Sequence, residues 1–183
     1  MSEAQLFDQS FVEPNTVEHS VVHDDSDSAS EQYERRFQGT QTLYGRSAVD
    51  TFAAAHVYVI GVGGVGSWAA EALARTAVGT ITLIDLDVLV ASNVNRQLPA
   101  LDSTFGQSKI AAMGQRLGEI NPKVTINLID DFLTVDNVAA LLPSREEAKA
   151  AIAQGHPIVI LDCVDDMQAK LAIALHCRFN KLK

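Results

Sequence analysis

The sequence predicts an α/β fold: a Rossmann-like, doubly wound, mostly parallel sheet with helices on both faces. Three observations predict it. A short apolar run, Val57-Tyr58-Val59-Ile60, meets a glycine cluster at Gly61, Gly63, Gly64 and Gly66 that opens a helix. A second apolar run ends in an acid, Asp85. Beyond it, apolar runs continue to alternate with helical segments, as consecutive βαβ units require. Parallel strands are buried on both faces and therefore read as continuous rather than alternating apolar runs.

The elements follow in order. Residues 1–31 carry eight acids and no lysine or arginine. Their run Asp24-Asp25-Ser26-Asp27-Ser28-Ala29-Ser30 buries too little apolar surface to offset its ordering entropy, so a disordered acidic arm is expected. The globular domain spans 32–183, with order beginning near Tyr33. Residues 33–52 read as helix in pieces, broken around Gly39 and Gly45. Val57–Ile60 is a buried first strand. A helix is predicted from Val65 to Ala77, with Val65, Ala69, Ala72, Leu73 and Thr76 inward and Gly79 ending it. Thr80–Asp85 is the second strand. A loop or short helix follows to Ser103, then a helix over Gly106–Ile120 stopped by Asn121-Pro122.

Val124–Ile129 is the third strand. Thr134–Leu142 is a helix with Thr134 as its N-cap. Residues 143–155 read as a helical insertion or loop, and Pro157–Asp162 as the fourth strand. Asp166–Asn180 is a helix with Ala169, Ala172, Ile173 and Leu175 inward. A doubly wound sheet is expected to feed a further strand where the sequence stops at Lys183, so the fold is expected to be incomplete at its C-terminus.

Bulk properties exclude several classes. The 183 residues suit one domain with one core, and 47% are hydrophobic, which excludes wholesale disorder. No apolar run reaches the ~18–20 residues of a membrane span. No basic region leads into an apolar stretch at the N-terminus, so no secretory signal is expected. Two cysteines are too few for a disulfide framework or a zinc site and fit a reducing cytoplasm. A net charge of −9 argues against a broadly basic nucleic-acid surface, though not against a local patch.

The glycines point to a nucleotide. Phosphate must approach the backbone closely, and a Cβ blocks it. Gly61 makes the tight turn, Gly63 admits the phosphate, Gly64 adds freedom, and Gly66 lets helix and strand pack closely. The helix N-terminus beyond them offers free N–H groups and positive dipole to an anion. Asp85 is placed to accept the ribose hydroxyls. A nicotinamide enzyme needs no cationic and amide cluster just past that acid. Here Asp87, Asn93, Asn95, Arg96 and Gln97 follow within a dozen residues, then Lys109. Arginine and lysine can hold a triphosphate and stabilise charge developing at its α-phosphorus. Carboxylates there can hold magnesium.

Five segments in order resemble the ubiquitin-activating-like adenylating enzymes, which include the molybdopterin- and thiamine-biosynthesis activators. They are Gly61–Ser67, Ile84–Asp87, Ser92–Gln97, Gly106–Lys109 and Leu161–Asp165. Phrases within Arg36–Gly45, Ser67–Arg75 and Asn95–Gln97 are similar to the branch that dehydrates threonylcarbamoyladenosine in tRNA. The resemblance runs from about residue 34 to about residue 180, with an insertion at Ser144–His156. It implies ATP and Mg²⁺: a carboxylate attacks the α-phosphate to give an acyl-adenylate and pyrophosphate. In that branch the carboxylate belongs to the threonyl group on the modified adenosine 37 of tRNA. The activated acyl group then cyclises with net loss of water.

The resemblance makes Asp85 the ribose acid and Asn93, Arg96, Gln97 and Lys109 the phosphate-handling residues. Asp165 helps hold magnesium, and Asp87 contacts metal or phosphates. Arg36, or Arg35 if the register shifts, matches an arginine supplied to a neighbouring subunit's site, which implies a homodimer. Sulfur-transfer proteins are possible partners; no membrane partner is expected.

Other residues carry less. Cys163 stands among Asp162, Asp165 and Asp166, which raise a thiol pKa, so packing is its expected role. The five histidines show no ligand spacing. Trp68 reads as packing or as part of the nucleotide mouth, and Asp130-Asp131 as a solvated loop or an adenine-side contact. Three alternatives remain at this level: a nicotinamide oxidoreductase, activation of a small sulfur-carrier protein, and a non-catalytic nucleotide-binding remnant.

Overall fold

The structure, a computed structural model, describes residues 28–183. The first 27 positions of the acidic arm lie outside the described residues. At the arm's predicted end, Ser28 accepts from the Glu31 N–H, and the Glu31 carboxylate accepts from the Ser28 N–H. This capping box starts helix α1, Ala29–Tyr44, ahead of the expected start of order. Helix α1 passes unbroken through Gly39 and ends at Gly45, whose φ is +86°. Helix α2 follows over Arg46–Ala54.

Four strands form one parallel sheet in the order β3-β2-β1-β4: β1 His56–Ile60, β2 Thr80–Ile84, β3 Thr125–Ile129 and β4 Ile158–Asp162. Helix α3, Gly66–Arg75, links β1 to β2, and helix α4, Lys109–Ile120, links β2 to β3. Both pack on one sheet face, where Ala70, Ala74, Ile110, Met113 and Leu117 meet Val57, Val59, Ile81 and Leu83. The short helix α5, Val138–Leu141, helix α6, Arg145–Ala153, and helix α7, Met167–Asn180, follow β3 and β4. On the other face Ile60 and Ile84 pack with Leu142, Ala169 and Ile173. The predicted doubly wound fold is the observed one. Past α7 the backbone returns to the sheet, where the Ile160 N–H donates to the Lys183 carbonyl at 2.8 Å.

The local differences have physical causes. Helix α3 buries Ser67, Ala70, Glu71 and Ala74, not the predicted face; Val65 and Ala72 are exposed. A run of alanines offers little apolar contrast around the helix, so the polar residues decide its rotation. Glu71 points inward because Arg116 Nε at 2.5 Å and Arg75 Nη2 at 2.7 Å neutralise it. These two hydrogen bonds, Arg116's first, hold the Glu71 carboxyl below the usual glutamate range. Helix α3 ends at Thr76 and Ala77, the latter at φ +69°, rather than at Gly79. A Cβ on Gly79 would collide with the Ala53 carbonyl.

Helix α4 begins at Lys109 rather than Gly106, because residues 106–108 run alongside 88–89. Leu89 N–H donates to Gln107 O at 2.9 Å, and Gly106 N–H donates to Leu89 O at 2.8 Å. The N-cap of α5 is Asn137, not Thr134; the Thr134 N–H instead donates to Asn137 Oδ1 at 2.7 Å. The 143–155 insertion contains α6, opened by a Ser144–Glu147 capping box. Leu175 lies on the outer face of α7, 58% exposed.

Candidate nucleotide site

The strand order reverses between β1 and β4, and a cleft of about 660 Å³ opens at the carboxyl ends of the strands. This is where doubly wound sheets place their ligands. Each strand contributes its exit: Gly61–Val65 after β1, Asp85 and Asp87 after β2, Asp131–Thr134 after β3 and Cys163–Asp166 after β4.

The glycine turn is fixed by its own backbone. Gly61 has φ +86° and donates its N–H to Ile84 O at 2.9 Å, crossing to the neighbouring strand. A Cβ on Gly66 would collide with the Gly61 carbonyl, so the turn closes only with glycine there. A Cβ on Gly63 would meet nothing within 4 Å, which leaves open space above the backbone for a ligand. Gly64 is covered by the stem of Arg96; a Cβ on it would lie 3.2 Å from Arg96 Cγ.

Asp85 is buried and joins the turn to the end of β2. Its Oδ2 accepts from the Val62 N–H at 2.6 Å, and its Oδ1 from the Asp87 N–H at 2.9 Å. Each oxygen keeps a second lone pair for a hydroxyl donor. Lys109 is the first residue of α4, its side chain only 7% exposed, and its Nζ lies 2.7 Å from Asp87 Oδ2. A buried cation at a helix N-terminus opposes the dipole. It is held there by one carboxylate and faces the cleft, an arrangement suited to a further anion.

Arg96 lines the cleft, and its Nη1 donates to Ser92 O at 2.9 Å and Asn95 Oδ1 at 3.0 Å. Asn93 lines it too, buried, with its Oδ1 accepting from the Val90 N–H at 3.0 Å. Gln97 is buried on the same wall, and its Oε1 has no hydrogen-bond partner among the described residues. An unsatisfied buried amide is costly unless a ligand or water completes it. The exits of β3 and β4 add an apolar patch of Leu133, Val164 and Ala169, with half-exposed Phe132, beside the polar Asp131, Thr134, Asp165 and Asp166. The cationic wall suits charged phosphate and the apolar patch a planar base, with Asp85 between them.

The sequence-predicted residues are thus mostly brought together. The cleft gathers Gly61, Gly63, Gly64, Asp85, Asp87, Asn93, Arg96, Gln97, Lys109 and Asp165. Gly66 stands behind the turn. Asn95 does not line the cleft: the tight turn after Ala91–Asn93 directs it outward, where it holds Arg96. Arg36 is also elsewhere. Its Nη1 donates to the carbonyls of Glu119 and Ile120, at 3.1 and 3.2 Å, at the end of α4 opposite Lys109. Twelve helical residues put those ends about 18 Å apart, so Arg36 does not reach its own chain's cleft.

Among the described residues, no three histidine, cysteine, aspartate or glutamate side chains form a metal-binding group. Magnesium with a nucleotide needs only one or two carboxylates, because phosphates and water complete its shell. Exposed Asp165 and half-exposed Asp87 therefore fit such an ion. Burial, then the Asp162 carboxylate, pushes the Cys163 thiol up against a smaller opposing effect of Lys170, so this cleft-lining cysteine stays protonated. Asp131 does reach the cleft, as does the apolar patch, which the sequence reading missed. The clue available was position: each lies just past the carboxyl end of a strand.

The fold and the cleft define a Rossmann-like α/β protein whose site is built on a glycine turn at the switch point of its sheet. The chain belongs to the ThiF family, whose match covers residues 33–183. It is similar to the tRNA threonylcarbamoyladenosine dehydratase of Escherichia coli K12, 44% identical over 153 residues, which is 84% of this chain and 53% of that protein. The Haemophilus influenzae protein of the same name is 40% identical over 152 residues, 83% of this chain and 54% of its own length. The crystal structure of the Escherichia coli dehydratase in complex with ATP matches with a TM-score of 0.74 at 41% identity, covering 85% of this chain and 60% of that one. The chain spans about half the length of the curated relatives it matches. None of the described helices is long and apolar enough to cross a membrane.

Proposed function

We propose that the chain binds ATP in this cleft and serves the adenylation step of tRNA threonylcarbamoyladenosine dehydration. The observation that carries the reading is the buried Lys109 and the loop-held Arg96 facing a glycine turn whose Gly63 leaves its backbone open. In this reading the turn and the N-terminus of α3 receive the phosphates, Asp85 the ribose, and Leu133, Val164 and Ala169 the adenine. Arg96 and Lys109 offset repulsion between an incoming carboxylate and the triphosphate, and stabilise charge developing at the α-phosphorus. Attack there forms the acyl–oxygen–phosphorus bond and expels pyrophosphate. Asp165, with Asp87, would hold Mg²⁺, which supplies further charge neutralisation on the phosphates.

The carboxylate is that of the threonyl group on tRNA adenosine 37. The relatives named above support that substrate over a sulfur-carrier C-terminus. The same reading includes a cytoplasmic homodimer, with sulfur-transfer proteins as possible partners. In that dimer Arg36 or Arg35 would serve the neighbouring cleft, and Arg36 would first have to leave the α4 carbonyls. Titration with ATP plus Mg²⁺ against NAD tests the nucleotide; preferential NAD binding would end the proposal. Incubation with modified tRNA and ATP, followed by mass spectrometry of the nucleosides, tests the substrate. A loss of one water from the modified adenosine is the expected result.

A further inference from the structure

Trp68 is the only tryptophan of the chain, and 59% of it is exposed on the first turn of α3. Core packing does not account for an indole in that position. Its Nε1–H donates to the backbone carbonyl of Arg96 at 3.1 Å. The preceding residue, Ser67, is fully buried; its hydroxyl donates to Gly63 O at 2.7 Å and accepts from the Leu98 N–H at 3.3 Å. Two consecutive side chains therefore fasten the segment around Arg96 to the glycine turn. The stem of Arg96 then lies across Gly64. The local bonds of its Nη1, to Ser92 and Asn95, stay within its own loop and do not tie that loop to α3.

We infer that Trp68 is a positioning residue whose indole N–H anchors the Arg96 backbone and so aims its guanidinium at phosphates bound by the glycine turn. The inference rests on the ATP reading above. An arginine has a long, mobile side chain, and ordering it at the moment of binding weakens affinity. A rigid ring with a single donor removes part of that cost in advance. The indole does not line the cleft, but it is bonded to the Arg96 backbone, so nucleotide that engages the guanidinium changes the ring's surroundings through that segment.

The test titrates ATP with Mg²⁺ into the full chain, Trp68→Phe, Arg96→Ala and the double variant by calorimetry, and follows wild-type tryptophan emission in parallel. Phenylalanine keeps a ring and loses the donor. Trp68→Phe is expected to weaken ATP binding about five-fold, the scale of ordering one long side chain on binding, with little change in melting temperature because the lost bond is exposed. The double variant should bind no more weakly than Arg96→Ala, because Trp68 acts through that side chain. Wild-type emission should change as ATP saturates. Wild-type affinity in Trp68→Phe, or losses that multiply in the double variant, would overturn the inference while the ATP reading stands. Failure of the wild-type chain to bind ATP at all would overturn both.

Discussion

The central strands β1 and β2 make a closed half of the sheet, and the edge strands β3 and β4 make an open half. In β1 and β2, Val59, Ile81 and Leu83 have no exposed surface, and helices cover the glycine-turn side closely enough to require glycine at 66 and 79. In β4 every residue keeps some exposure, and α7 presents Met167, Leu171, Leu175 and Phe179 outward at 58–83% exposure. The closed half supplies the glycine turn, Asp85 and the anchored Arg96 segment. The open half supplies Val164, Asp165 and Ala169. Groups that hold the polyphosphate in the proposed function thus stand on the part with the most buried contacts, where local opening is costliest. The apolar residues, to which the proposal assigns only a flat base, stand on a looser support.

Substitutions can break this contrast. The largest effect is expected at Gly66→Val: the new side chain collides with the Gly61 carbonyl, so ATP binding should vanish in calorimetry. A bulk change in the open half, Leu171→Ser, should leave binding intact; equal damage from both would erase the distinction. Next, Arg96→Ala and Lys109→Ala should each lower pyrophosphate–ATP exchange by about 100-fold, the scale of one lost transition-state contact. Circular dichroism should show the fold retained, and full exchange in either variant would refute its phosphate assignment.

A smaller effect is expected at Glu71→Gln, which removes an inter-helix ion pair in the closed half. It should lower stability by about 1–2 kcal/mol, discounted for its partly exposed arginine partners, without changing ATP affinity. Because the folded Glu71 carboxyl is held low by Arg116 and then Arg75, its contribution is complete above the ordinary glutamate pKa and is lost as pH falls through the lower folded value. Urea melts of wild type and variant should therefore differ near neutrality and converge only in acid below the lowered folded pKa. The smallest effect belongs to Phe179→Ser. At 83% exposure it should shift stability by less than about 0.5 kcal/mol, and a larger loss would mean that the outer face of α7 is covered in solution.

Periodicity and spacing made the strands legible because parallel strands are short, β-branched and bounded by turn residues. The glycine turn and its acid were legible for a related reason: close backbone approach restricts which residues can stand there. Helix rotation was not. Alanine-rich α3 looks the same on every side until Glu71 meets Arg116, 45 residues away. Asn95 and Arg96 are neighbours in sequence and both polar, yet one faces outward and the other the cleft. The tight turn after Ala91–Asn93 and the Trp68 and Ser67 bonds to that loop separate their roles.

By itself, then, the amino-acid order determined an alternating α/β chain, a glycine turn with an acid after the second strand, and a cluster of cationic and amide residues soon after. Those depend on local sterics and composition, which act over a few residues. Tertiary structure alone decided that Lys109 opens a helix beside Asp87, that Arg36 is drawn to the distant end of α4, and that four strand ends converge on one cleft. Each of these depends on through-space pairing between residues far apart in the chain, and the linear pattern does not encode those distances.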